Sequence, residues 1–412
     1  MWHLTVPGFD RWLESRWARR VSRAPVMSPE EHAAAVADPG RRHSDIELPL
    51  ACAVCGGTRL QPLLHVHDQK HAKPRWNYHV VRCAGCGFLY RHPGIRPERL
   101  GELYATGKYA KFLAGEYTSK RIERYEVTMV PFGALFESGH GRRLLDFGCG
   151  NGLFLDIAYE RGFECYGVDL AADAIKVARK KPSGRHTYYG APEDIPGIAA
   201  GGFDVITMWS VLAHLAQPVE DLSMLRRLLA PDGVLLILTV NADSLVLKRR
   251  LETWGGFTPN HLLFSSPQTL PPLLRRAGFG AVVMPPWYGE PVERGTSRLG
   301  PGAQRRLRRT VDRGNRGNML RAAAFADPDG PRRLGLETYS WQLTSPGATG
   351  DGLAAQPRDG VANSGGAPAG EIWSGSVISV PGGGSTSPSS SGSSVSRIQR
   401  SSRSASAARS AS

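Results

Sequence analysis

The chain has 412 residues and a formal net charge of +14 at neutral pH; 41% of its residues are hydrophobic and 21% are charged. No apolar run approaches the roughly 20 residues that a transmembrane helix needs, and the N-terminus lacks the apolar stretch of a secretory signal. We therefore expect a globular, cytoplasmic protein without a membrane span, and the composition leaves its oligomeric state open.

The positive charge is unevenly distributed. Residues 141–290 contain 15 basic and 15 acidic residues, whereas 51–140 contain 13 and 7, and 291–343 contain 11 and 5. A local basic face can attract a phosphorylated or otherwise anionic substrate, or nucleic acid. An ordinary solvated surface is the other interpretation, and both stay open.

The first 47 residues contain one predicted helix. Phe9, Trp12, Leu13 and Trp17 have the spacing of a single apolar helix face. Such a helix can dock on the rest of the protein or lie on a membrane surface. A third interpretation is that translation starts at Met27 and that the preceding residues are not native sequence.

Two Cys-x-x-Cys pairs, each followed by glycine, come next; they are Cys52 with Cys55 and Cys83 with Cys86. Four thiolates in two tight turns suit a closed, tetrahedral zinc site, and the glycines let backbone amides face the sulfur atoms. The 27 residues between the pairs would form the strands and loop of a zinc ribbon. We predict a structural zinc ion there, because disulfides are rare in the cytosol, and a redox or disulfide role is the alternative.

Several side chains around this module are candidate substrate contacts. The histidines between the pairs can replace a ligand, contact substrate or lie on the surface: His65, His67, His71 and His79. A connector follows, with a predicted helix over 116–136. Its tyrosines are candidate substrate contacts or packing residues: Tyr104, Tyr109 and Tyr117.

A glycine-rich turn follows the apolar segment 143–147. It contains Gly148, Gly150 and Gly152, and a second apolar run ends in Asp169, 17 residues after Gly152. A turn without side chains, followed by a carboxylate for ribose hydroxyl groups, is typical of a nucleoside site. The spacing is not the Gly-x-Gly-x-x-Gly of dinucleotide folds, so a pyrophosphate is not the expected ligand.

Strands and helices alternate through this region. We predict strands at 143–147, 164–169, 187–190, 203–209 and 234–240, helices at 152–161 and 171–181, and a turn at 231–233 that enters the fifth strand. This alternation predicts an α/β fold with a parallel sheet, whose ligand lies at the carboxyl ends of the strands. The segments 146–152 and 209–214 and Asp169 all fall at those ends.

Residues 142–280 resemble the Rossmann-like (class I) methyltransferases that use S-adenosylmethionine (SAM). The resemblance implies that the glycines pass close to the cofactor, that Asp146 anchors the loop or reaches the methionine amino group, and that Asp169 binds the ribose. Leu170 would cover the adenine, Cys149 needs no thiol chemistry, and Trp209 lies at the cofactor edge. Where this family often has aspartate for the adenine amino group the chain has Ala191, so Glu193, Asp194 or a backbone carbonyl is expected to substitute.

Two histidines are the candidate catalytic residues. Val211-Leu212-Ala213-His214 resembles a family motif with Glu-His at its end, and Asn260-His261 precedes a segment ending in Ala-Gly-Phe, as is frequent in the family. An imidazole can remove a proton from a hydroxyl or an acidic carbon, and a structural role is the alternative for each ring. The insert 241–259, which contains Lys248, Arg249, Arg250 and Trp254, is predicted to cover the acceptor. Its basic run suits a phosphate or nucleotide-linked acceptor or forms a solvated helix face, and both interpretations stay open.

The order of these motifs over 50–280 resembles bacterial methyltransferases of sugars, natural products and surface polysaccharides. It implies methyl transfer to a small-molecule or carbohydrate-linked acceptor. An RNA methyltransferase and an inactive SAM-binding paralogue are the alternatives. The predicted organisation is an N-terminal extension (1–47), a zinc ribbon (48–95), a connector (96–140), the SAM-binding core (141–290), a basic extension (291–345), in which Leu336 to Thr344 can add a last strand, and a disordered tail (346–412).

Overall fold

A computed structural model describes residues 9–35, 51–66, 78–95, 118–196, 198, 200–258, 260–287, 302, 305, 309, 315–336 and 340–341. About half of the basic segment 291–343 and the whole predicted tail 346–412 lie outside these residues. The side chains of six residues named above also lie outside the described part: His67, His71, Tyr104, Tyr109, Tyr117 and Asp194. Among the described helices, none is long and apolar enough to cross a membrane.

The described strands form two sheets. In chain order they are β1 (Leu60–Val66), β2 (Tyr78–Cys83), β3 (Leu89–His92), β4 (Arg143–Phe147), β5 (Glu164–Asp169), β6 (His186–Tyr189), β7 (Phe203–Trp209), β8 (Leu229–Val240), β9 (Leu263–Phe264), β10 (Ala281–Val283), β11 (Met319–Phe325) and β12 (Ser340–Trp341). The large sheet has the order β12-β10-β11-β8-β7-β4-β5-β6, and the small one β1-β2-β3-β9.

The large sheet confirms the predicted α/β, Rossmann-like class. Strands β6, β5, β4, β7 and β8 run parallel to one another, whereas β11 runs antiparallel to both β8 and β10. Residues 234–238 are all almost completely buried, because helices and loops cover both faces of β8. The reversal of strand order around β4 creates the crevice in which such sheets bind ligands.

The predicted elements agree with the structure except at a few places. Strands β4, β5 and β7 have the predicted bounds, and β6 begins one residue early. The prediction that a turn at 231–233 precedes the fifth strand is wrong. Strand β8 begins at Leu229, and residues 231–233 form a bulge within it. Strand β11 was not predicted, and Ser340–Trp341 is the described part of the predicted last strand.

The helices pack on the two faces of the large sheet. Their bounds are Thr118–Met129, Gly133–Phe136, Leu153–Glu160, Ala172–Ala178, Pro218–Leu228, Leu245–Arg250, Leu270–Arg276 and Gly330–Arg333. The predicted helix 116–136 is interrupted by a short 3-10 turn at Val130–Phe132, where Pro131 cannot donate a backbone hydrogen bond.

The N-terminal helix α1 (Phe9–Arg23) docks on the core. Leu13 is fully buried, as predicted, but Trp12 is about half-exposed (49%) and lies off the buried face. The Lys248 Nζ atom lies 2.7 Å from Glu14 Oε1 and also bonds Asp243, and Arg316 pairs with the same two carboxylates. Lys248 is only 4% exposed, so at this residue the basic run of the 241–259 insert neither forms a solvated helix face nor is available to an anionic acceptor.

The short helix α2 (Pro29–Ala35) is attached through histidines. Its N-terminus has a reciprocal capping box, in which the Ser28 hydroxyl accepts from the Glu31 amide and the Glu31 carboxylate accepts from the Ser28 amide. His32 on α2 and His92 on β3 share a hydrogen bond of 2.8 Å between their Nδ1 atoms, and both rings are buried.

The neighbouring strands extend this histidine contact. His65, His79 and His92 are cross-strand partners on β1, β2 and β3, so they lie in one row across the small sheet. Burial lowers the pKa of both His32 and His92 to about 4. The other described titratable or charged groups at this contact are Glu30 and His79, which act on the His92 ring, and Arg91 beside it.

We predict that acid weakens this attachment. Both histidines have pKa values below the unfolded value of about 6.5, so unfolded chains take up protons first, and the contribution is lost as the pH falls from about 6.5 towards 4. The thermal midpoint of the wild type should therefore fall more between pH 7.5 and 5 than that of the His32→Gln/His92→Gln double variant. His186→Gln is the control, and parallel curves for wild type and double variant would contradict the prediction.

Candidate active site

The glycine turn after β4 is the narrowest part of the site. Gly148, Gly150 and Gly152 have φ values of +80°, +55° and +74°, which favour glycine. A Cβ atom on Gly148 would lie 2.4 Å from Val211 Cγ2, so the turn also requires a residue without a side chain there. The turn at the carboxyl end of β4 therefore packs directly against Val211, which follows β7.

Asp169, at the end of β5, holds this turn. Its Oδ2 atom accepts from the Gly150 amide and its Oδ1 atom from the Ala171 amide, both at 2.8 Å. Burial raises the pKa of this carboxyl group, while the two hydrogen bonds from backbone amides and the charge of Arg121 lower it. Each carboxylate oxygen can accept a second hydrogen bond, so ligand hydroxyl groups can still bind.

Asp146 lies deeper, at the end of β4. Its side chain is 2% exposed, and its Oδ1 atom accepts from the Thr207 hydroxyl at 2.7 Å. Burial raises the pKa of Asp146 to about 7; the Thr207 bond lowers it, the charge of Asp169 raises it and Arg121 lowers it. A ligand cation at this position would favour the ionised carboxylate.

Two buried polar atoms beside these carboxylates lack a partner. Among the described residues, Asn151 Oδ1 and Trp209 Nε1 make no hydrogen bond although both are buried. The Trp209 ring packs at 5.0 Å from Phe154 and 6.1 Å from Tyr125, measured between ring centroids. Since buried polar atoms are normally satisfied, these two atoms indicate a polar ligand at this end of the site.

Arg121 is a functional candidate that the sequence prediction missed. It lies on the helix Thr118–Met129, donates to the Tyr125 hydroxyl at 3.1 Å, and is close enough to lower the pKa of both Asp146 and Asp169. Its position before the glycine turn carries no motif. Only the three-dimensional contact brings this guanidinium group to the carboxylates.

The outer end of the crevice is apolar. Leu170 and Tyr189, which follow or end β5 and β6, are 58% and 60% exposed. Glu193 is exposed on the 3-10 turn Pro192–Asp194, and Gly190 donates its amide to the Asp169 carbonyl. Large exposed apolar side chains at strand ends suit a flat ring as ligand.

Cys149 is buried within the glycine turn, and Cys165 is buried on β5. Burial raises the pKa of the Cys149 thiol well above its usual value, followed by the charges of Asp146 and Asp169. The thiol is therefore protonated at neutral pH, in agreement with the expectation that it performs no chemistry.

The two candidate catalytic histidines lie side by side. The ring centroids of His214 and His261 are 4.8 Å apart, although 47 positions separate them in the chain. The Nδ1 atom of His214 lies 2.6 Å from the Asn260 carbonyl, and that of His261 lies 2.6 Å from the Gly256 carbonyl. Because a carbonyl only accepts, the Nδ1 atom of each ring carries a proton in these contacts.

The environment of His214 is strained and largely buried. Burial lowers the pKa of His214, and hydrogen bonds with the backbone of Asn260 and Ser210 raise it. Ser210 has a φ of +63°, which is unusual for a residue with a side chain, and it donates its amide to Leu238. This conformation lets the chain leave β7 abruptly and turn His214 towards His261.

The four cysteines of the two pairs come together as predicted. Their sulfur atoms all lie within 4.8 Å of one another, with Cys52 and Cys86 at 3.6 Å and Cys55 and Cys83 at 3.5 Å. Gly56 and Gly87 have φ values of +72° and +80°. Hydrogen bonds within the cluster lower the pKa of Cys83 and raise those of Cys52 and Cys86, so the sulfur atoms share protons in the absence of a metal. The four atoms are close enough together to hold one metal ion.

Comparisons with known proteins agree with this site. Residues 117–283 match a family model described as a methyltransferase domain. The match covers the glycine turn, both carboxylates and both histidines. The segment thus combines a methyltransferase-domain pattern with a Rossmann-like fold.

Individual relatives are similar to parts of the chain. The chain is 34% identical over 129 residues to a ubiquinone biosynthesis O-methyltransferase of Idiomarina loihiensis, covering 30% of this chain and 50% of that protein. A protein of the same name from Caulobacter sp. is 35% identical over 130 residues, covering 31% and 49%. The chain therefore spans about half the length of these curated relatives.

A solved structure of a SAM-dependent methyltransferase from Archaeoglobus fulgidus is also similar, with 23% identity and a TM-score of 0.36. The similarity covers 51% of this chain and 93% of that one.

We predict that Asp146→Asn changes how stability depends on pH. Since folding raises the pKa of Asp146 from 3.8 to about 7, its protonated form stabilises the fold and that contribution is lost as the pH rises towards 7 and above. Asparagine stays neutral and can still accept from Thr207. The thermal midpoint of the variant minus that of the wild type, both measured without ligand, should therefore increase by a few degrees as the pH rises from 5 to 8. A constant difference over that range would contradict the raised pKa.

Proposed function

We propose that the protein transfers the methyl group of SAM to a small-molecule or carbohydrate-linked acceptor. The observation that carries the proposal is the overlap between the methyltransferase-domain match and a crevice with a glycine turn, a nucleoside-type carboxylate and two adjacent histidines. The names of the curated relatives support a small-molecule acceptor.

The residues present fit SAM. Asp169 would hold the ribose hydroxyl groups, and Leu170 and Tyr189 offer apolar surface for the adenine. The unpartnered Trp209 Nε1 and Asn151 Oδ1, with Asp146 and Arg121, form a mixed donor and acceptor set for the amino and carboxylate groups of the methionine part. When bound, SAM supplies a methyl group already activated on a sulfonium centre.

The protein would contribute orientation and proton removal. Alignment of acceptor and methyl group can supply on the order of 7–11 kcal/mol of the barrier. The adjacent imidazoles of His214 and His261 would supply a group that can remove a proton from an acceptor hydroxyl or an acidic carbon. An acceptor nitrogen or sulfur would need less help from either ring.

The RNA alternative receives less support from the described residues. Lys248, part of the basic run in the 241–259 insert, is buried between Glu14 and Asp243 rather than available to phosphate. Phosphate contacts in RNA recognition need accessible cations.

The cysteine module would bind structural zinc. With Zn–S bonds of about 2.3 Å, a tetrahedral site has S···S edges of about 3.8 Å, close to the distances of 3.5 and 3.6 Å between the paired sulfur atoms. Four cysteine ligands leave no open position, so the ion would stabilise structure and would not contact substrate.

Loss of the Asp169 carboxylate should weaken the binding of SAM. Asp169→Ala should raise the dissociation constant of SAM at least tenfold, because it removes the ribose acceptor and releases the Gly150 amide. Calorimetry measures this directly, and transfer of a labelled methyl group from SAM into host-extract fractions should disappear with the variant. Asp173→Ala, which removes an exposed carboxylate paired with Lys176, is the matched control.

Equal SAM affinity in the Asp169 variant and wild type would overturn the assigned cofactor site. Ribonuclease-sensitive label, in contrast, would replace the small-molecule acceptor by RNA.

The cysteine module should retain zinc through purification. Purified protein should contain one zinc ion per chain, and Cys55→Ser should reduce this content and lower the thermal midpoint, since structural zinc contributes to folding free energy. Cobalt substitution should give the thiolate charge-transfer absorption of a four-sulfur site. Cys165→Ser, a buried cysteine outside the cluster, is the control, and unchanged zinc content in Cys55→Ser would refute the site.

A further inference from the structure

The turn that carries His261 is held from two sides. On one side, the His214 ring donates to the Asn260 carbonyl and the Leu262 amide donates to the Ala213 carbonyl, both at 2.6 Å. On the other side, the Arg91 amide of β3 donates to the Leu262 carbonyl at 2.8 Å. Residues 260–264 thus bridge the small, cysteine-containing sheet and the turn that follows β7.

The carbonyl group of Thr258 is the point where a side chain of the small sheet meets this turn. It accepts from the His261 amide at 3.0 Å, which closes the turn, and from the Tyr78 hydroxyl at 3.1 Å. The Thr258 hydroxyl in turn donates to the Asn260 side chain at 2.7 Å. The Thr258 carbonyl therefore joins Tyr78 to the His261 amide, and the Thr258 hydroxyl joins the same residue to the Asn260 side chain.

Tyr78 is itself rigidly placed. It is 1% exposed on β2, and the Arg91 guanidinium group lies 4.5 Å from the centre of its ring. A buried phenol on a paired strand has little freedom to move its hydroxyl group. Tyr78 is also five positions before Cys83, so the strand that positions it ends in a ligand of the cysteine cluster.

We propose that Tyr78 is a positioning residue for the His214–His261 pair. Its hydroxyl fixes the Thr258 carbonyl, the turn fixes the Asn260 carbonyl and the His261 backbone, and the Asn260 carbonyl fixes the orientation of the His214 ring. Tyr78 contacts neither ring directly. The inference rests on the proposed function only in assigning the histidine pair to the acceptor.

The proposal gives a direction for the titration of His214. The Asn260 bond raises the pKa of His214 against the effect of burial, so a displaced Asn260 carbonyl should let this pKa fall further. A purely structural tyrosine would change stability without moving this titration. The two roles are therefore distinguishable.

The test compares Tyr78→Phe with wild type in full-length, zinc-loaded protein. Nitrogen-15 histidine spectra would be recorded across pH, with His214→Gln and His261→Gln used to assign the resonances. We expect the His214 pKa to fall by on the order of half a pH unit in Tyr78→Phe, with SAM affinity within twofold of wild type. Once an acceptor is identified, kcat should fall several-fold and its pH profile should shift, while the KM for SAM stays constant.

Tyr166→Phe is the matched control, because it removes a hydroxyl group that bonds Glu164 on β5, away from the histidines. Thr258→Val tests the same turn by a second route, through loss of the bond to Asn260, and keeps the proposal testable if Tyr78→Phe folds poorly. A His214 titration that superimposes on wild type in both Tyr78→Phe and Thr258→Val would overturn the proposal. A shifted titration in a protein that transfers no methyl group would retain the positioning role and reject the proposed function instead.

Discussion

The carboxylate of Asp169 is the constraint on which the site depends. By accepting the amides of Gly150 and Ala171, it joins the turn after β4 to the turn after β5 at the reversal of strand order. Each bond contributes modestly in water, but loss of this acceptor would leave two backbone donors without their partner. The residue expected to bind a ligand thus also maintains the shape of the pocket, so binding and local folding are coupled there.

The second organising feature is the junction of the two sheets at β9. In the chain, Leu263 and Phe264 lie between β8 and β10 of the large sheet, yet they pair with β3 of the cysteine module. On the opposite side of the same module, Arg276 donates to the Cys52 and Ala53 carbonyls. The module is therefore attached to the core at two places, through β9 and through Arg276.

Features encoded locally could be predicted from the sequence. The glycine turn, Asp169 and the cysteine pairs each depend on residues within a few positions, and β4, β5 and β7 are marked by apolar runs between turn residues. Strand β11 could not be recognised, because Ala322, Ala323 and Ala324 suit a helix as well as a strand and its partner β8 is about 80 positions away. Lys248 was misjudged for a similar reason: its partner Glu14 is 234 positions away. Arg121 and the approach of His214 to His261 also depend on tertiary packing alone.

The strand order also has a consequence for synthesis. A ribosome delivers β1, β2 and β3 early, but the far edge of β3 has no partner until Leu263 and Phe264 emerge, after most of the large sheet has been made. Until then the nascent chain presents an open strand edge, a template for unwanted pairing.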